Sequence, residues 1–159
     1  LTGHLVFSTL HTNDAPGTIT RLKDMGIPTF MITATVEAIL AQRLVRRICN
    51  HCRAEVEQSE EMIAQLELTG EDLSERKFYR GSGCDHCNNT GYRGRVGLFE
   101  LMIMNDVLRE MIMSEASTDE LRTRAGEFGM VTLREAGMKT MWEGVTTAEE
   151  VVRETIVDV

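Results

Sequence analysis

The chain has 159 residues, 42% of them hydrophobic and 26% charged, and carries a formal net charge of -8. That composition suits a globular protein of one or two small domains, large enough to bury roughly 68–70% of its unfolded surface. The acidic balance excludes a nucleic-acid partner, which needs a dominant basic face. No transmembrane segment is expected, because the most apolar stretch, residues 30–40, is short and interrupted by Thr33, Thr35 and Glu37.

Leu1-Thr2-Gly3-His4 shows neither an initiating Met nor a basic leader, so a piece of a longer protein is expected. Leu5-Val6-Phe7 followed by Ser8-Thr9-Leu10 reads as a short strand buried on both faces, since its apolar residues are continuous. A helix follows with Asn13 or Asp14 as N-cap, Pro16 in its first turn, and Ile19, Leu22 and Met25 on one side before Gly26. In open α/β sheets ligands sit beyond the carboxyl ends of strands, which places Thr9, His11 and Thr12 near a helix N-terminus suited to a phosphate. The alternative is that His11 and Asn13 only close the loop.

Pro28 opens a second helix, expected to run through about Ile48 with Phe30, Ala34, Ile39, Ala41 and Leu44 available for burial. Arg43, Arg46 and Arg47 in its last turns suit the negative end of the helix dipole. A second reading has Arg46, Arg47 and Arg53 offsetting the charge of a neighbouring thiolate centre.

The only cysteines form two C-x-x-C pairs, Cys49 with Cys52 and Cys84 with Cys87. Two intervening residues let a tight turn aim both sulfurs at one point, and two such turns supply the four tetrahedral corners that zinc prefers. Redox dithiols, or two disulfides in an exported protein, are the alternatives. Reduced cysteines fit a cytoplasmic location. His51 and His86 sit inside the pairs and are read as lying outside a ligand set that four thiolates complete. Between the pairs, Glu55, Glu57, Glu60, Glu61, Glu67, Glu71, Asp72 and Glu75 occur with no Lys or Arg from residue 54 to 75, the pattern of a solvated surface lobe. Ser59 starts a short helix there that ends near Gly70, with Met62, Ile63, Leu66 and Leu68 as its thin apolar stripe. Glycines at 81, 83, 91, 94 and 97 permit the turns and close approaches of a metal knuckle. Residues 96–104 read as a strand.

From Asn105 the pattern is helical. Ser117-x-x-Glu120, Thr132-x-x-Glu135 and Thr147-x-x-Glu150 are capping boxes, and Gly129 and Gly144 are helix stops. Seven of the ten methionines fall between Met102 and Met141, which suits adaptable core packing or a partner groove.

Taken together, Leu1-Thr2-Gly3-His4-Leu5-Val6 with Ser8-Thr9-Leu10-His11-Thr12-Asn13-Asp14-Ala15, Ala41-Gln42-Arg43-Leu44-Val45-Arg46-Arg47, the tetracysteine loop, Thr90-Gly91-Tyr92-Arg93-Gly94-Arg95 and the closing Thr146-Thr147-Ala148-Glu149-Glu150-Val151 resemble the secretion ATPases. These drive type II secretion and type IV pilus extension. The resemblance implies an α/β fold: part of a RecA-like ATPase core, strand-helix-helix, over residues 1–48. A zinc-binding tetracysteine arm with its following strand would span 49–104, and an all-helical C-terminal part 105–159. It implies that His11 and His4 form a catalytic histidine box with Thr9 and Thr12 near the nucleotide, and that Cys49, Cys52, Cys84 and Cys87 hold structural Zn2+. It further implies a hexameric parent using ATP and Mg2+ on the cytoplasmic face of the inner membrane, coupled to a membrane platform protein. No G-x-x-x-x-G-K-[ST] loop occurs in these residues, so they are expected to lack ATPase activity alone. A stand-alone zinc-stapled interaction module is the rival reading.

Overall fold

A computed structural model describes residues 3–69, 73 and 76–155. Expectations on Leu1, Thr2, Gly70, Glu71, Asp72 and Glu75 lie outside the described residues. The fold is mixed α/β, with seven α-helices and two two-stranded sheets among the described residues. The chain divides into two compact units, each built from two segments: Leu1–Gln42 with Phe99–Thr132, and Arg43–Leu98 with Leu133–Val159.

In the first unit, α1 (Ala15–Asp24) begins at an Asp14 N-cap whose side chain accepts from the Gly17 N–H. Pro16 in its first turn suits the helix start, where its missing N–H is no loss. Helix α2 (Thr29–Thr35) ends at Val36, whose backbone is extended. The helix expected through Ile48 therefore stops early, and β1 (Ala38–Ile48) takes its place. Ala41, Val45 and Ile48 are the buried positions there. Their spacing, four and then three, is that of a helix stripe, so apolar spacing alone points to a helix, whereas the β-branched Ile39, Val45 and Ile48 suit the strand that forms. Arg43, Arg46 and Arg47 thus lie on a strand, and the helix-dipole account of them falls.

Residues 5–10 form no strand: Leu5, Val6 and Phe7 are 76%, 78% and 87% exposed. A strand buried on both faces needs neighbours on both edges, and no described segment supplies them. β1 pairs with β4 (Tyr92–Ile103). Met104 N–H donates to Glu37 O and Cys49 N–H to Gly91 O, both at 2.9 Å, so the two strands run antiparallel. Within this unit β4 alternates strictly, with Glu100, Met102 and Met104 inward and Phe99, Leu101 and Ile103 outward. The outward side chains border a groove of about 450 Å3 shared with Leu108, Phe128 and Val131. Helix α4 (Asp106–Met113), capped by Asn105, packs on α2, and α5 (Thr118–Glu127) packs on α1 and α4. Ile19, Ile32, Met102, Leu108, Ile112 and Leu121 are its largest buried apolar side chains.

In the second unit, β2 (Arg53–Val56) pairs antiparallel with β3 (Phe78–Gly81), Arg53 opposite Gly81 and Val56 opposite Phe78. The short α3 (Glu60–Gln65) is capped by Ser59 as expected. Helices α6 (Leu133–Trp142) and α7 (Ala148–Thr155) pack on each other. Leu66, Phe78, Met141, Ala148 and Val151 form the core, with Met62, Trp142 and Val152 against it. Leu66 and Met62 thus tie the described part of the acidic segment, around α3, to this core.

Candidate metal centre and the histidine-bearing loop

Cys49 and Cys52 follow β1 directly, while Cys84 and Cys87 flank a 3-10 turn, Asp85–Cys87. The four sulfurs lie within 4.8 Å of one another. Sγ–Sγ separations are 3.9 Å for Cys49–Cys84, 3.8 Å for Cys52–Cys87 and 3.7 Å for Cys84–Cys87. Zinc–thiolate bonds of about 2.3 Å in a tetrahedron put sulfurs about 3.8 Å apart, so the spacing fits one metal ion. It is far too long for disulfides, and all four cysteines are free thiols.

Backbone approach makes this convergence possible. Gly81 and Gly91 meet so closely that a Cβ on Gly81 would lie 2.0 Å from the Gly91 carbonyl oxygen. Gly91 then accepts from Cys49 N–H and donates its own N–H to Cys87 Sγ at 3.3 Å. The thiols are inequivalent. Burial pushes the Cys52 thiol up to about 11 and also raises Cys84. Burial acts the same way on Cys87, but the N–H groups of Cys84 and Gly91 outweigh it and bring that thiol down to about 6. A metal held here would take the thiolates and displace the remaining protons.

His51 and His86 stack, ring centroids 3.9 Å apart, and both are exposed. Neither belongs to the clustered ligand set. Arg46 and Arg53 are engaged away from the sulfurs: Arg46 bonds Glu150, and Arg53 donates to Gly144 O at 3.3 Å and lies over the Tyr79 ring.

The predicted histidine box lies on the irregular segment before α1. His4, Thr9 and His11 are exposed, and Thr12 is half-buried with its hydroxyl 2.9 Å from that of Thr18. The start of α1 differs from the phosphate-binding expectation. Ala15 N–H donates to Glu100 Oε1 at 2.7 Å, Pro16 has no N–H, and Gly17 N–H donates to Asp14 Oδ1 at 2.8 Å. The first-turn donors that would hold an anion are occupied by carboxylates of the protein itself. Two buried acids, Glu100 and Glu150, escaped the sequence reading as site residues. For Glu100 the signal was an acid at an inward position of an alternating strand.

A mixed α/β chain with a four-cysteine cluster and a histidine-bearing loop ahead of a capped helix is the class these features define. A family described as Type II/IV secretion system protein matches residues 1–153, and the chain belongs to that family. It is 45% identical over 156 residues to the type IV pilus assembly ATPase PilB of Thermus thermophilus, covering 98% of this chain and 18% of that protein. It is 46% identical to PilB of Myxococcus xanthus, covering 99% of this chain and 28% of that protein. With the type II secretion system protein E of Pseudomonas aeruginosa the identity is 44%, covering 98% and 30%. The chain thus spans less than a third of each of these relatives.

Proposed function

We propose that these residues form part of a longer motor ATPase of the type II secretion and type IV pilus class. The family match over residues 1–153, with relatives named as pilus assembly ATPases, carries this reading. On it, residues 1–48 belong to a RecA-like core and 105–159 to a helical C-terminal part. ATP and Mg2+ are held by residues outside this sequence, which contains no phosphate-binding loop. His11, with His4, Thr9 and Thr12, faces the nucleotide. Because the α1 donors are taken, His11 acts through its imidazole. The exposed Leu5, Val6 and Phe7 and the outward face of Phe99, Leu101 and Ile103 support the reading, since an ordinary monomer covers apolar surface of this kind.

Cys49, Cys52, Cys84 and Cys87 hold Zn2+ as a structural ion with no open coordination position. The parent assembles as a hexamer and acts on an inner-membrane platform protein from the cytoplasmic side. No described helix is long and apolar enough to cross a membrane.

The full-length protein carrying this sequence should hydrolyse ATP, and His11→Ala should lower kcat at least about tenfold while leaving folding intact. Full-length protein without ATPase activity, or His11→Ala with unchanged turnover, would overturn the reading. Metal analysis of reduced protein should find about one zinc per chain.

A further inference from the structure

Glu100 occupies an inward position of β4, in line with Met102, where alternation calls for an apolar side chain. It is 2% exposed, and a buried carboxylate is costly unless it is well bonded. Stability alone favours a hydrophobe there, because an apolar replacement of buried charge is often neutral or stabilising. Its Oε1 reaches the Ala15 N–H at 2.7 Å, across 85 positions of sequence. Ala15 is four residues beyond His11.

The helix start does not need Glu100 as a cap, since Asp14 already fills that role toward Gly17. Asp14 is itself held by Arg122 of α5 at 2.5 Å, and Thr12 is tied to Thr18. The backbone after His11 is thus fixed from β4, from α5 and from α1, while the imidazole stays exposed.

We propose that Glu100 is a positioning residue for the histidine-bearing loop: anchored on β4, its buried carboxylate fixes the first residue of α1 and so the place at which His11 and Thr12 meet the nucleotide. This rests on the ATPase reading. In this role Glu100 acts through the Ala15 N–H.

The test uses steady-state ATP hydrolysis by the full-length protein, with thermal unfolding measured on every variant. Glu100→Met, similar in size but unable to accept from Ala15, should lower kcat at least tenfold with KM for MgATP within twofold and an unchanged unfolding temperature. Glu100→Gln, which retains an acceptor oxygen, should recover kcat to within threefold of wild type. Glu100→Met combined with His11→Ala should be no more than twofold slower than His11→Ala alone. Wild-type kcat in Glu100→Met overturns the proposal, as do additive losses in the double variant. So does a collapse of folding in Glu100→Met, which makes the residue purely structural, or a Glu100→Gln variant as slow as Glu100→Met. These failures are distinct from failure of the ATPase reading, which shows as an inactive wild type or an indifferent His11→Ala.

Discussion

Arg46 and Glu150 form the most heavily bonded ion pair of the second unit, and the two partners should respond unequally to removal. Glu150 accepts from Arg46 N–H at 2.8 Å, from Arg46 Nε at 2.9 Å and Nη2 at 2.7 Å, and from Arg153 Nη2 at 3.0 Å. The Arg46 guanidinium also lies 4.0 Å from the centre of the Tyr92 ring. The Glu150 side chain is 1% exposed and that of Arg46 45%. Arg46→Ala therefore strands a buried carboxylate and removes a cation–π contact, a loss of about 3–5 kcal/mol even with Arg153 and the backbone N–H left in place. Glu150→Gln keeps one acceptor oxygen and lets a half-exposed guanidinium return to water, so it should cost only about 1–2 kcal/mol. The pH response separates the two further. Burial pushes the Glu150 carboxyl up, but the Arg46 donors and the Arg153 charge outweigh it and hold the carboxyl below its ordinary value. A lowered folded pKa gives stability that is present above the unfolded value near 4.3 and is lost as pH falls through the folded one. Without Arg46, burial prevails and the sign reverses: the variant gains stability relative to wild type on going from pH 7 to pH 5. Urea unfolding of zinc-saturated protein at both pH values, followed by circular dichroism, measures this. An Arg46→Ala cost no larger than that of Glu150→Gln, or the same pH dependence as wild type, would refute the reasoning.

Cys84→Ser should weaken zinc binding at least about tenfold and expose the arm to protease, as should a chelator acting on the wild type; competition with a colorimetric zinc dye gives the affinity. Gly91→Ala should cost about 1–3 kcal/mol and also weaken metal binding, because its Cβ would lie 2.5 Å from Gly81 O at a φ of +77°. Unchanged zinc affinity in that variant would contradict the role given to the glycine contact. Gly17→Ala places a Cβ 2.3 Å from Asp14 Oδ1, so it should destabilise the wild type but be tolerated once Asp14→Ala, itself costing about 1 kcal/mol as a lost cap, has removed the clash. Thermal unfolding of the two single variants and the double variant tests that coupling.

What was legible in the sequence was local. The cysteine pairs are short motifs whose geometry is set within four residues, and the structure brings their sulfurs together as the spacing requires. The caps at Asn105 and Ser117 and the positive φ of Gly129 and Gly144 follow from neighbouring residues in the same way. The Ser117 box closes on both sides, with Ser117 N–H to Glu120 Oε2 at 2.8 Å and Glu120 N–H to Ser117 Oγ at 3.3 Å. At Thr147 only half of the same motif forms: Glu150 N–H reaches Thr147 Oγ1 at 3.4 Å, but the carboxylate goes to Arg46. Sequence alone could not separate these cases, since the competitor for Glu150 stands 104 positions away. The misread helix before Cys49 has the same origin. Buried Ala41, Val45 and Ile48 carry a helical spacing, and strand pairing with β4 overrode it.

The two acids that sequence reasoning passed over do one job in mirror image. Glu100 lies on a strand and reaches the first N–H of a helix, whereas Glu150 lies in the first turn of a helix and reaches an N–H of a strand. Each fastens a strand to a helix start within its own unit, at a place where an isolated carboxylate would be expensive and an apolar contact would slide. Charge-assisted bonds to backbone N–H groups fix direction as well as distance, which apolar packing does not. At α1 the consequence reaches function. A helix end already bonded to the protein's own carboxylates has few donors left for a phosphate, so on the proposed ATPase reading the loop before it contributes through side chains, and the seat of His11 matters more than it would beside an open helix dipole.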